Sequence, residues 1–179
     1  MKSIELFSET YSGTYTRTRR ACRGIVLRDG LVLLSHYPAS GDLWMIPGGG
    51  KEGEESDRDT VIREVAEESG FLIEPRDCAL EITEYFGDMR HINHYFPAAV
   101  VGETERKPTD LEERLQLEPR WVTPEEALGI FARYDDYRED RDVMKRGLYL
   151  REYTALKTIL GGIKRVDKVA TLQIGPASL

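Results

Sequence analysis

Continuous and alternating apolar runs predict most of a β-sheet. The runs at residues 21–28 and 31–37 are rich in Val, Leu and Ile, and the Asp29-Gly30 pair between them is a strong signal for a β-hairpin. A shorter run, LWMI, stops before Pro47, which cannot donate to a strand ladder. Further strands are predicted at residues 71–74, 80–86, 91–101 and 120–122.

Two helices are predicted from their boundary residues. Residues 56–69 contain neither Pro nor Gly, and Gly70 suits the left-handed position that closes a helix. In the segment TPEEAL, Thr123 is a good N-cap, Pro124 fits the first helical position, and Glu126 completes a capping box. Both segments therefore carry start or stop signals of their own.

The remaining segments complete the outline of the chain. A longer helix is predicted over residues 140–160 from the spacing of its apolar positions, and Gly161-Gly162 is expected to end it. Residues 1–18 form a polar, extended lead-in, and residues 102–117 are charged and irregular. Strands first, one helix in the middle and helices last predict an α+β domain in which helices cover a mixed sheet.

Composition narrows the possible partners and setting. The 179 residues suit one domain, and 25 Lys and Arg against 32 Asp and Glu give a net charge of −7. This acidic balance argues against a nucleic-acid polymer as partner, and an anionic small ligand would require neutralising cations. Cys22 and Cys78 indicate no disulfide framework, so a reduced cytoplasmic setting is expected. No apolar run suggests a signal peptide or a membrane span.

One segment, GGGKEGEESDRDTVIREVAEESGF at residues 48–71, places eight carboxylates among 24 residues. Glu64, Glu67 and Glu68 fall at i, i+3 and i+4 of the predicted helix and therefore share one face. Clustered carboxylates are suitable oxygen donors for Mg²⁺, which is bound together with substrate phosphates. The alternative is an ordinary solvated face, which most glutamate-rich helices present.

Neighbouring residues of the same segment could support such a site. Arg63 is placed to hold Glu67 one turn along the helix, or Glu55 from the preceding loop, and so to fix the carboxylate rotamers. The glycines that precede the helix allow a sharp turn and a close approach of the backbone to a ligand.

The spacing of these residues resembles the signature of the Nudix hydrolase family. The matching positions are Gly49, Glu55, Arg63-Glu64-Val65, Glu67-Glu68 and Gly70-Phe71. The resemblance implies an α/β/α sandwich around a mixed sheet, over residues 18–162, with an N-terminal extension (1–17) and a C-terminal tail (163–179). It also implies hydrolysis of a nucleoside diphosphate linked to another group, with Mg²⁺ or Mn²⁺, and a possible homodimer.

The same resemblance assigns roles to the residues of the segment. Glu64, Glu67 and Glu68 correspond to metal ligands, which the backbone carbonyl of Gly49 or of Gly48 would join. Arg63 belongs to the catalytic set, and the structural supports are Glu55 and Gly70. A further glutamate from a later loop is expected to act as base or extra ligand. Glu112 and Glu113 are favoured over Glu118, because Glu118 stands close to the strand around Trp121.

The substrate is the least constrained part of the interpretation. The candidate substrate contacts are Arg23, Tyr37, Trp44 and Tyr85. Gly87 and Asp88 stand where some subfamilies carry a diagnostic proline or tyrosine, so a nucleoside triphosphate is favoured by default. A nucleotide-sugar or ADP-ribose hydrolase and a non-catalytic nucleotide sensor are the alternatives. His91 and His94 lack cysteine partners by spacing and are expected to be strand residues without a metal role.

Overall fold

Within the described residues, a mixed sheet of nine strands forms the centre of the protein. The computed structural model describes residues 1–137 and 143–171, with only the backbone at 143 and 163–171. The strands are β1 (Lys2–Phe7), β2 (Arg17–Arg28), β3 (Leu31–Tyr37), β4 (Leu43–Met45), β5 (Gly48–Gly50), β6 (Phe71–Pro75), β7 (Leu80–Phe86), β8 (Met89–Glu103) and β9 (Glu118–Val122). The helices are α1 (Asp57–Ser69), α2 (Asp110–Arg114), α3 (Pro124–Ala132) and α4 (Val143–Thr171).

The long strand β2 organises the sheet, whose main path runs β1-β7-β8-β2-β3-β4. Strand β2 pairs in parallel with β8 and antiparallel with β3 and β5, and β1 pairs in parallel with β7. Strands β6 and β9 add antiparallel pairs to β8 and β3. The β2–β3 turn at Asp29 and Gly30 has positive φ at both residues, as the hairpin prediction requires.

Helices cover both faces of this sheet, which confirms the predicted α/β/α arrangement. Because neighbouring strand residues point to opposite faces, Val26 and Leu33 pack with Val61 and Val65 of α1 on one side. Ile25 and the residues that share its face pack against Phe131 of α3 and the apolar residues of α4 on the other. None of the helices within the described residues is long and apolar enough to cross a membrane.

Local signals fixed both ends of α1 and the start of α3 as predicted. The Ser56 side chain accepts from Asp59 N at the start of α1, and Gly70 closes that helix in the left-handed conformation. The capping box between Thr123 and Glu126 begins α3, with Pro124 in its first turn. The start of each of these two helices is therefore specified by a side-chain hydrogen bond that its own sequence supplies.

The prediction that Gly161-Gly162 ends the long helix is wrong. Helix α4 continues to Thr171, and neither glycine has the positive φ of a helix-closing residue. Glycine within a helix costs about 1 kcal/mol relative to alanine, which weakens a helix without breaking it. The predicted start at residue 140 lies outside the described residues.

Two further segments are more ordered than their composition indicates. The charged stretch at residues 102–117 contains α2, which a capping box between Thr109 and Glu112 begins. The polar lead-in contributes β1, which pairs along its whole length with β7. The division of the chain at residues 17 and 162 stays a prediction.

Gly70 provides a test of how α1 is joined to the sheet. A Cβ there would meet the backbone oxygen of Thr104 at 2.9 Å, and φ is +78°. We expect Gly70→Ala to lower the free energy of unfolding by at least about 1–2 kcal/mol, the cost of a left-handed non-glycine residue. The measurement is urea unfolding followed by circular dichroism.

Gly129 supplies the matched control for this substitution. It lies in the middle of α3, and a Cβ there would meet nothing within 4 Å. Gly129→Ala should therefore leave stability unchanged or raise it by up to about 1 kcal/mol. Equal effects of the two substitutions would contradict the strained, crowded turn assigned to Gly70.

Candidate active site

Helix α1 lies unusually close to the sheet, and this approach positions its polar face. A Cβ on Gly24 of β2 would be 3.0 Å from a methyl group of Val65, so the glycine makes room for the helix. Val61 and Val65 are fully buried at this contact. With these side chains directed to the core, the next face of the helix meets β5 (Gly48–Gly50), which we call the glycine strand.

Arg63 connects this helix face to the loop before it. Its guanidinium donates to both carboxylate oxygens of Glu55, at 2.8 and 3.2 Å, and to the carbonyl oxygen of Gly50 at 3.1 Å. The same group contacts Glu64 at 3.0 Å and Glu67 at 3.1 Å. Hydrogen bonds from Arg63 lower the pKa of Glu55 to about 2. The structure therefore brings together Glu55, Arg63 and two of the three predicted metal ligands.

Glu68 is placed differently from its neighbours because its side chain is buried. The carboxylate accepts from Ser35 Oγ at 2.5 Å and from Gly48 N at 3.4 Å. Burial raises the pKa of Glu68 to about 8, and the nearby Glu112 adds to the rise, while the bond from Ser35 and the charge of Arg23 oppose it. Sequence reasoning missed Ser35, which is a small polar residue inside an apolar strand.

Glu64 lies between this buried carboxylate and the solvent. A Cβ on Gly49 would come within 2.3 Å of Glu64 Oε2, so only glycine permits this contact between the loop backbone and the carboxylate. Burial raises the pKa of Glu64, Arg63 opposes that rise, and the charges of Glu67 and Glu112 add to it. Burial is the main cause of the raised pKa of Glu64 and of Glu68, and the neighbouring carboxylates add to it.

The three later glutamates occupy different places. Glu112 is half-buried, and its charge raises the pKa of Glu64, Glu68 and Tyr37. It therefore faces the cluster formed by the side chains of Glu64, Glu67 and Glu68, which we call the carboxylate group. One of its oxygens also closes the capping box, 2.7 Å from Thr109 N. Glu113 is exposed beside Asp110 and Arg114. Glu118 lies on β9 and pairs with Arg120, in agreement with the strand position expected for it.

A cavity of about 180 Å³ lies on the face of the sheet that α4 covers, and none of its lining residues is a glutamate of α1. Arg23 lines this cavity and also donates to the carbonyls of Ile46, at 3.0 Å, and Gly48, at 3.4 Å. Arg19, another lining residue, lies 3.5 Å from the position of a Cβ on Gly50. The remaining lining residues are Met45, Glu84, Phe86, His91, Met144, Gly147, Leu148 and Arg151. Guanidinium groups thus connect the glycine strand to the cavity.

Buried ion pairs hold two arginines of this cavity, Arg23 and Arg151, in place. Arg151 contacts Glu84 and Glu152, each at 2.7 Å, and Arg23 lies 3.7 Å from Glu152. Arg151 Nε is buried without a hydrogen-bond partner. Sequence reasoning missed Arg151 and Glu152, although a charged pair within an apolar helix pattern was a signal that they face a buried network.

The other predicted substrate residues lie outside this cavity. Tyr37 is buried near Glu68, and burial raises the pKa of its hydroxyl. Trp44 stacks on His36 with ring centres 4.0 Å apart. Tyr85 stacks on Phe7 at 4.8 Å, beside a separate cavity of about 50 Å³. Of the four candidates, Arg23 alone lines the larger cavity.

The chemistry of the carboxylate group fits a divalent cation. Glu64 and Glu67 share one guanidinium nitrogen of Arg63, and the charge of Glu112 raises the pKa of both Glu64 and Glu68. The backbone of Gly49 comes close to the Glu64 carboxylate, because a Cβ there would lie 2.3 Å from Glu64 Oε2. Carboxylate and carbonyl oxygens are the donors that Mg²⁺ prefers.

Comparison with known families and structures agrees with this geometry. The model of the NUDIX domain matches residues 17–147. A NUDIX hydrolase from Nitrosomonas europaea is similar with a TM-score of 0.55 at 19% identity, over 76% of this chain and 88% of that chain. The MutT protein from Methanosarcina mazei Go1 is similar with a TM-score of 0.53 at 22% identity, over 79% and 97%. The E. coli ORF135 protein gives a TM-score of 0.51 at 25% identity, over 64% and 79%.

The family match covers more than half of the chain and includes every position of the acidic signature. Comparison with curated proteins finds no match. The structural likenesses support the same fold, and the resemblance inferred from the signature is confirmed. The chain therefore belongs to the Nudix family of hydrolases.

Proposed function

We propose that this protein is a Mg²⁺-dependent pyrophosphohydrolase of a nucleoside diphosphate derivative, with a nucleoside triphosphate as the favoured substrate. The observation that carries the proposal is the convergence of Glu64, Glu67 and Glu68 around one face of α1, with Arg63 bridging that face to the loop. Such a group is costly unless cations bind to it.

The proposed metal ligands are Glu64, Glu67 and Glu68, with the carbonyl of Gly49. When bound, Mg²⁺ or Mn²⁺ would neutralise phosphate oxygens and acidify a water molecule. Arg63 would hold the carboxylates in position, since its contacts to Glu55 and Gly50 anchor it from the loop side.

Glu112 is the better placed of the two loop glutamates to accept a proton. It is half-buried and electrostatically coupled to Glu64 and Glu68, whereas Glu113 is exposed on the far side of α2. Its free oxygen could take a proton from the attacking water, while the other oxygen keeps the capping box with Thr109.

The cavity on the other side of the glycine strand suits the rest of a nucleotide. Arg19, Arg23 and Arg151 offer donors to phosphate oxygens or to base acceptors, and Met45 and Phe86 offer apolar surface. Hydrolysis of a triphosphate to a monophosphate and pyrophosphate would use both the carboxylate group and this cavity. A nucleotide sugar or ADP-ribose would present a larger second group, and binding without turnover would indicate a sensor.

Removing one carboxylate of the α1 face tests the proposal. Glu67→Gln keeps the shape of the side chain and removes a charge, so the fold should survive while turnover in Mg²⁺ falls by at least about a hundredfold. The measurement is steady-state release of pyrophosphate from a nucleoside triphosphate, with circular dichroism to check folding.

Glu74→Gln is the matched control, because Glu74 is exposed on β6, outside the carboxylate group. It should retain full turnover. Wild-type turnover in Glu67→Gln would contradict the assignment of Glu67 as a metal ligand.

The buried Glu68 gives a second prediction that does not depend on activity. The folded protein keeps the Glu68 proton up to about pH 8, while an unfolded chain releases it near pH 4. The folded state therefore binds more protons between these values, and this group lowers the free energy of unfolding as pH rises through that range.

Glu68→Gln removes this titration, so in metal-free buffer the variant should lose less stability than the wild type between about pH 5 and pH 8. The difference should be on the order of a few kcal/mol at most. Urea unfolding in the presence of a chelator measures it, and parallel pH profiles for the two proteins would contradict the assigned burial.

A further inference from the structure

A second group of metal-binding side chains lies at the N-terminal end of α1. Cys22 of β2 and His94 of β8 are paired neighbours in the parallel register, and Asp57 is the first residue of α1. The Cys22 sulfur, a ring nitrogen of His94 and a carboxylate oxygen of Asp57 all lie within 4.8 Å of one another. We propose that Cys22, Asp57 and His94 form a separate site for a thiophilic divalent cation of the Zn²⁺ class.

The surroundings of His94 carry the first part of the argument. Nδ1 lies 2.6 Å from Asp57 Oδ2, and Nε2 lies 3.0 Å from Glu81 Oε2. A carboxylate on the outer nitrogen is the usual support of a metal-binding histidine, because it fixes the ring and makes the other nitrogen a better donor. Glu81 therefore plays the supporting role, and Nδ1 faces Asp57.

The donor set distinguishes this site from the carboxylate group of Glu64, Glu67 and Glu68. Sulfur, imidazole nitrogen and carboxylate oxygen together select Zn²⁺-like ions, whereas oxygen donors alone select Mg²⁺. Asp57 and Glu64 are seven residues apart on α1, or about 10 Å along the helix axis. The two sites thus lie at different ends of one helix and take different metals.

Cys22 is buried and would bind a metal ion as a thiolate, so metal binding would release the thiol proton to solvent.

The remaining interactions of the site can persist after metal binding. Lys51 contacts Asp57 through Oδ1, at 3.4 Å, and leaves Oδ2 for the cation. Side-chain exposure of 33% for Asp57 and 14% for His94 opens the site to solvent on one side, and the buried Cys22 closes it on the other. To reach the roughly 3–4 Å spacing of donors around a tetrahedral ion, His94 Nδ1 and Asp57 Oδ2 would separate slightly from 2.6 Å, and any donor pair near the 4.8 Å limit would move closer.

Cobalt(II) titration of the full chain tests the proposal directly. Co²⁺ takes the place of Zn²⁺ and gives a thiolate-to-cobalt charge-transfer band only when sulfur is a ligand. The titration is done with a non-coordinating reductant and with excess Mg²⁺ to occupy the carboxylate group. We expect one equivalent of Co²⁺ to produce this band. Added Zn²⁺ should remove it.

Variants assign the ligands. Cys22→Ser and His94→Gln should each reduce the band at least tenfold, while Cys78→Ser and Glu64→Gln should retain it, with folding checked by circular dichroism. Absence of the band in the folded wild type would overturn the proposal, as would its retention in both Cys22→Ser and His94→Gln. Loss of the band in Cys78→Ser alone would overturn the choice of cysteine.

Discussion

The guanidinium of Arg63 joins the glycine strand, the loop and helix α1 at one point. It contacts Glu55, the carbonyl of Gly50, Glu64 and Glu67, and its five donors suit such a fork of acceptors. Without it, the carboxylates of α1 would face one another and the loop would lose its main attachment to the helix. The negative charge of these contacts raises the pKa of Arg63, so the group stays charged at any working pH.

A second ionic network supports the opposite side of the sheet. Arg23 is buried between the carbonyls of Ile46 and Gly48 on one side and Glu152 of α4 on the other. Arg151 then connects Glu152 to Glu84 of β7. The network thereby connects α4, β2, β7 and the glycine strand. Removing one partner of such a buried pair leaves an uncompensated charge, which is strongly destabilising.

Local signals in the sequence were sufficient for the hairpin at Asp29-Gly30 and for the ends of α1. The capping box of α2 was equally present at Thr109 and Glu112, but a five-residue helix offers no apolar period to draw attention to it. The pairing of β1 with β7 joins residues about eighty positions apart and has no local signal. Gly161-Gly162 does not end α4, because glycine ends a helix only where the backbone turns left-handed, and neither residue has a positive φ.

In the candidate site, too, local spacing does not determine which side chains are buried or which distant residues they contact. The spacing of Glu64, Glu67 and Glu68 places them near one another, but nothing in it separates the buried Glu68 from the more exposed Glu67. That difference comes from Ser35 and Gly48, which approach Glu68 through the fold. Likewise, Cys22 and His94 become neighbours only through the parallel pairing of β2 and β8.

A product assay tests the central claim most directly. The protein would be incubated with nucleoside triphosphates, oxidised triphosphates, nucleotide sugars, ADP-ribose and dinucleoside polyphosphates, with Mg²⁺ or with a chelator, and products identified by mass. The account predicts a monophosphate and pyrophosphate from a triphosphate, in Mg²⁺ only. Turnover that persists in the chelator, or tight nucleotide binding without any product in Mg²⁺, would contradict it.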